Sequence, residues 1–157
     1  MLTVAEKANF LKTEFAKRLA AIDPATAPLW GKMNVQQMIE HMSGAMRQAS
    51  GKIPATEVLT PAENIPRMQA FIQSDKPFRE NTPNALLPDE PIPTKHTSIE
   101  DALEELQQEI DYFFAHYQNN AGTTVRNPFF GDLDYDMQLH LLYKHAQHHL
   151  RQFGAVV

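Results

Sequence analysis

The chain has 157 residues, 43% of them hydrophobic and 21% charged, enough to bury one continuous core without disulfide or metal staples and too apolar for a disordered chain. Fourteen Lys plus Arg against nineteen Asp plus Glu leave a formal charge of -5, and no basic cluster is interleaved with aromatics, which argues against nucleic acid as a partner. No apolar run is long enough to span a bilayer, the opening residues lack the order of a secretory signal, and cysteine is absent. The expectation is a single cytoplasmic domain over residues 1–157, off the membrane, folding alone or as a small oligomer such as a homodimer.

Thr3 and Glu6 have capping-box spacing, and Leu11, Phe15, Leu19 and Ile22 recur at helical spacing, predicting a first helix over about residues 4–22, stopped by Pro24 and Pro28. Asn34, with Gln37 three residues on, predicts the N-cap of a second helix that continues to about Ala49. Its apolar arc is Val35, Met38, Ile39, Met42, Ala45, Met46 and Ala49; the Met38, Met42, Met46 stripe reads as core packing.

Residues 52–96 hold eight of the eleven prolines and keep helical periodicity only weakly, around 62–72. They read as a stiff, irregular crossover, longer than joining two helices requires and of the kind used as a lid or binding loop. Phe71, Phe78, Leu86 and Leu87 are its expected apolar anchors, and Arg79, Glu80 and Asn81 its expected cavity-facing residues.

Thr97 or Ser98 should cap a third helix carrying Leu103, Leu106, Ile110, Phe113, Phe114 and Tyr117 on one stripe and ending at Asn119-Asn120-Ala121-Gly122. After the loop Asn127-Pro128-Phe129-Phe130-Gly131, Asp134 can cap a fourth helix to about Phe153, with Gly154 as its C-terminal cap. Four amphipathic helices and no convincing strand predict an all-α fold, a four-helix bundle with a long irregular crossover between helices two and three.

Seven histidines are the chain's main chemical resource. His145 and His149 are four apart on one face of the fourth helix, where imidazoles stand about 6 Å apart at Cβ and both can reach one cation. His41 falls about 60° to one side of the apolar arc of helix two, so it should point inward near the bundle edge and can supply a third ligand. Taken alone, His41 also reads as a hydrogen-bonded core residue. A buried metal-free pair would need two sets of hydrogen-bond partners. His148 can replace His149 by i, i+3 geometry, while His96, His116 and His140 read as surface residues.

Met-Ile-Glu-His-Met at 38–42, Asn-Pro-Phe-Phe-Gly-Asp-Leu at 127–133 and Tyr-Lys-His-Ala-Gln-His-His-Leu-Arg-Gln-Phe-Gly at 143–154 resemble the DinB-like superfamily. The likeness covers nearly the whole chain, including the Gly31-Lys32-Met33 lead and the crossover, and is most specific from Lys144 to Gly154. It implies a four-helix bundle with a long connection after helix two. It also implies a divalent metal held by one His of helix two and an HxxxH pair of helix four, here His41, His145 and His149. A Trp common early in helix four of relatives stands here as Met137.

Imidazole ligation suits zinc or nickel, and affinity should fall below about pH 6.5 because each ligand must be neutral. Some relatives resemble transferases in which the metal activates a low-molecular-weight thiol. The resemblance therefore implies a small-molecule substrate and S-transferase chemistry; hydrolysis is a second chemical option. The alternative is a non-catalytic, metal-stabilised module for small-ligand binding or stress response. Glu40 points about 100° away from His41, leaving Gln37, Gln138 and Gln152 as the polar neighbours able to orient the ligands.

Overall fold

The computed structural model describes residues 2–82 and 89–155. Thr3 and Glu6 exchange side-chain to backbone hydrogen bonds of 3.3 and 3.1 Å, starting α1 (Val4–Thr13). The single first helix expected over 4–22 is in fact two, because the chain breaks at Glu14 before α2 (Phe15–Ala20). Just before the break the Thr13 hydroxyl donates to the Asn9 carbonyl at 2.8 Å, a back-bond that competes with the helical ladder and bends it.

Asn34 caps α3 (Val35–Ser50) by accepting from Gln37 N at 2.8 Å, and the helix ends at Gly51, whose φ of 83° is left-handed. A 3-10 turn (Ala62–Asn64) and α4 (Ile65–Gln73) then occupy the middle of the crossover, which is therefore not irregular throughout. Pro66 lies in the first turn of α4, where a missing N–H costs nothing.

Of the two candidate caps, Ser98 is the one that starts α5 (Ile99–Asn119), accepting from Asp101 N at 3.1 Å. Two short antiparallel strands, β1 (Val125–Asn127) and β2 (Gly131–Leu133), follow where no strand was expected. Asn127 Oδ1 accepts from Phe129 N and Phe130 N at 2.8 and 3.1 Å, and Gly131 takes φ 80°, closing a three-residue hairpin loop. α6 (Tyr135–Gln152) starts on Asp134, as expected. Among the described residues the fold is mostly helical, with six α-helices and this small sheet, and no helix is long and apolar enough to cross a membrane.

α3 packs along α5, α1 pairs with α6, and α3 and α6 meet directly. Their shared core includes Leu11, Phe15, Met38, Met42, Leu106, Phe113, Leu142 and Leu150. A second cluster, Ile72, Phe130, Leu133 and Leu141, joins α4 and the hairpin to another face of α6, with Met137 packed against it. Leu141 and Leu142 thus enter different clusters, and the next turn of α6 presents His145 at the seam between them.

The crossover is anchored at both ends on α5. Lys52 Nζ lies 2.6 Å from Glu109, while Lys95 and His96 both lie 2.8 Å from Glu105, which Arg47 also reaches at 3.0 Å. Burial alone would push the Glu105 carboxyl up; bonds from Lys95, His96 and Arg47 hold it down to about 2. Glu40 accepts from the backbone N–H of Lys95 and His96 at 2.6 and 3.2 Å, so it serves the crossover and is turned away from His41, as the helical spacing required.

Candidate metal centre

α3 contributes one imidazole and α6 two, and their Nε2 atoms converge. His145 Nε2 lies 3.0 Å from His41 Nε2 and 2.9 Å from His149 Nε2. One ligand atom from each of the three lies within 4.8 Å of the others. The i, i+4 spacing on α6 brings His145 and His149 together, with ring centroids 4.7 Å apart and planes tilted by 44°. His41 meets both rings edge-on at 5.0 Å, from the edge of the α3 apolar arc.

The proton on His149 follows from its neighbours. The Trp30 carbonyl can only accept, so the amide nitrogen of Gln152 faces it at 2.9 Å and the amide oxygen faces His149 Nδ1 at 2.7 Å. Nδ1 therefore carries the hydrogen, and Nε2 presents its lone pair to the cluster. His145 Nε2 cannot then satisfy both contacts. With a proton it can donate to only one of the two neighbouring nitrogens; without one it opposes the His149 lone pair.

A cation at the common point satisfies all three nitrogens at once. Tetrahedral zinc with 2.0–2.1 Å bonds needs nitrogens about 3.3 Å apart, a few tenths of an ångström beyond the two contacts here. The donor set and its spacing fit a divalent ion that prefers imidazole. Among the described residues the one cluster of three or more His, Cys, Asp or Glu groups close enough to hold a metal is this one.

Burial lowers all three imidazoles below the ordinary 6.5: His41, His145 by a large margin with the His149 and His41 charges adding to it, and His149 to about 3. The cluster is thus neutral and ready to ligate at neutral pH. In the metal-free chain this has a stability consequence. The unfolded state takes up protons near pH 6.5 and the folded state only well below it, so stability is full above 6.5 and is lost as pH falls toward the folded values. Urea unfolding of chelator-treated protein should show a lower midpoint at pH 5 than at pH 7, and saturating zinc should raise the midpoint at both; a midpoint unchanged between pH 7 and 5 would contradict a buried, neutral cluster.

The aromatic surroundings were only partly expected. Phe78 stands edge-on to His145 and His148, both at 5.8 Å, and touches Phe71 at 5.8 Å, so this anchor of the crossover does reach the histidines. Leu86 and Leu87 lie outside the described residues, and Arg79, Glu80 and Asn81 are exposed. Trp30 was not singled out in the sequence, yet its ring lies 5.2 Å from that of His148. The only hint of it was its place as the lone Trp in the lead to α3.

His148 flanks the cluster without joining it, burial pushing it down to about 4. Of the three glutamines considered, Gln152 alone orients a ligand. Gln37 is spent on the α3 cap and the Ile92 carbonyl, and Gln138 donates to the Val125 carbonyl. Gln152→Leu should weaken metal affinity about 10–100-fold, the usual cost of losing such a partner; competition with a chromogenic chelator measures it, and an unchanged affinity would remove Gln152 from the site.

His140 bonds Lys7 at 2.9 Å, His96 pairs with Glu105, and His116 stacks on Tyr112. These three are half-buried and not fully exposed, but none approaches the cluster. A family model described as the DinB superfamily matches residues 12–153. No curated protein and no solved structure matches the chain.

Proposed function

The chain belongs to the DinB superfamily, and on that premise we propose that His41, His145 and His149 hold one divalent ion, zinc or nickel, in a transferase that uses a low-molecular-weight thiol. The observation that carries this reading is the convergence of three Nε2 atoms with the His149 tautomer set by Gln152. When bound, a divalent ion with three neutral ligands keeps its full charge for the remaining positions and lowers the pKa of a thiol or water there. The chain has no cysteine, so the thiol comes from a small molecule.

The protein's own part is positioning and exclusion of water. Gln152, fixed on the Trp30 carbonyl, orients the His149 ring, while Trp30 packs on His148 and Phe78 on His145 and His148 as apolar walls. The same reading takes α1 and α2 as one interrupted helix, which with α3, α5 and α6 makes a four-helix bundle, and residues 52–96 as its long connection. It further takes residues 1–157 as one cytoplasmic domain that can pair as a homodimer.

The test is spectroscopic. Adding a low-molecular-weight thiol to the cobalt-substituted protein should produce a sulfur-to-metal charge-transfer band in the near ultraviolet. A spectrum that does not change would favour the non-catalytic ligand-binding or stress-response module.

A further inference from the structure

On the face of α6 roughly 150° around from the histidine pair, α1, α6 and residues 74–77 enclose a cleft of about 330 Å³, within the range of small-molecule sites. Its walls are basic in a chain whose net charge is -5. Lys7 and Lys144 are 5% and 7% exposed, Arg151 is half-buried, and among the described residues Asp75 is the only carboxylate in the lining. Three cations against one carboxylate leave two positive charges unbalanced, and exposed Lys76 adds to them.

The lining also holds an unanswered amide. Gln147 is 6% exposed, and among the described residues neither its nitrogen nor its oxygen has a hydrogen-bond partner, which is unusual for a buried polar group and marks a place for one. Donors are in surplus around it. Lys7 Nζ has His140 Nδ1 at 2.9 Å, which leaves two of its three protons. Lys144 Nζ gives two protons to the Ser74 and Lys76 carbonyls, leaving one, and Arg151 makes no side-chain hydrogen bond or ion pair among the described residues.

We propose that this cleft is a binding site for a small doubly charged oxyanion, a phosphate monoester or a dicarboxylate, held by Lys7, Lys144 and Arg151 with the Gln147 amide donating to it. The charge balance selects a dianion over a monoanion, and Arg151 offers the planar fork that suits two oxygens at once. Tyr143 and Leu2 line the same cleft and give an organic ligand apolar surface.

Calorimetric titration with inorganic phosphate, succinate and acetate, on zinc-loaded and on chelator-treated protein, tests it. At least one dianion should bind about tenfold tighter than acetate, in both forms alike; phosphate marks a phosphoryl ligand and succinate a dicarboxylate. Gln147→Glu, which fills the cleft with its own carboxylate, and Arg151→Gln, on a half-buried side chain that can be lost without unfolding, should each weaken binding about tenfold, with circular dichroism unchanged in at least the second. The proposal is overturned if neither dianion outbinds acetate, if Arg151→Gln binds normally, or if binding appears only with zinc, which would put the anion on the metal centre instead.

Discussion

His145→Ala should reduce bound metal from about one ion per chain to less than about a tenth, the largest functional effect expected of any single substitution here. His145 is the middle member of the cluster, its Nε2 within 3.0 Å of both other Nε2 atoms, so its loss leaves two imidazoles from different helices and no chelating pair on α6. His41→Ala and His149→Ala should lower metal content in the same direction. His140→Ala and His116→Ala should not, since these side chains answer to Lys7 and Tyr112. Elemental analysis of purified variants decides it, with circular dichroism confirming that helices persist. If metal stoichiometry survives the loss of both His145 and His149, the site lies elsewhere.

Phe113→Ala should have the largest effect on stability, about 3–5 kcal/mol, as expected for removing a buried aromatic and leaving its cavity. Its ring has no solvent exposure and sits among Phe114, Tyr117 and Tyr135 at 5.1, 5.2 and 6.0 Å. Tyr117 in turn donates to the Ala49 carbonyl at 2.9 Å, tying α5 to the end of α3, so the pocket cannot easily collapse to refill the space. Against a typical total stability of about 5–15 kcal/mol, such a loss is a large fraction. Urea unfolding of metal-free protein measures it. A cost below about 1.5 kcal/mol would mean that the aromatic cluster is loosely packed. Phe78, half-buried on the crossover, should cost much less when truncated to Ala.

The caps at Thr3, Asn34, Ser98 and Asp134 were legible because each is a bond between residues three apart, formed by the segment itself. The i, i+4 histidine pair was legible for the same reason. The inward face of His41 followed from periodicity, and the family resemblance joined it to the pair. The break at Glu14 was not readable, because the apolar spacing runs straight through it. β1 and β2 escaped notice because three residues are too few for an alternating pattern to emerge.

What the sequence determined by itself is therefore the helical segments with their caps, the apolar stripes and the candidate ligands, all set by interactions within a turn or two of helix. The tertiary structure alone decided how those ligands are completed. His41 and His145 are 104 positions apart, and Gln152 reaches Trp30 across 122. The tautomer of His149, the aromatic wall of Trp30 and Phe78, and the basic cleft around Gln147 all arise where separate elements pack. Local spacing says which face a side chain occupies; only packing says what that face meets, because the free energy that selects the neighbour comes from burial shared between distant segments.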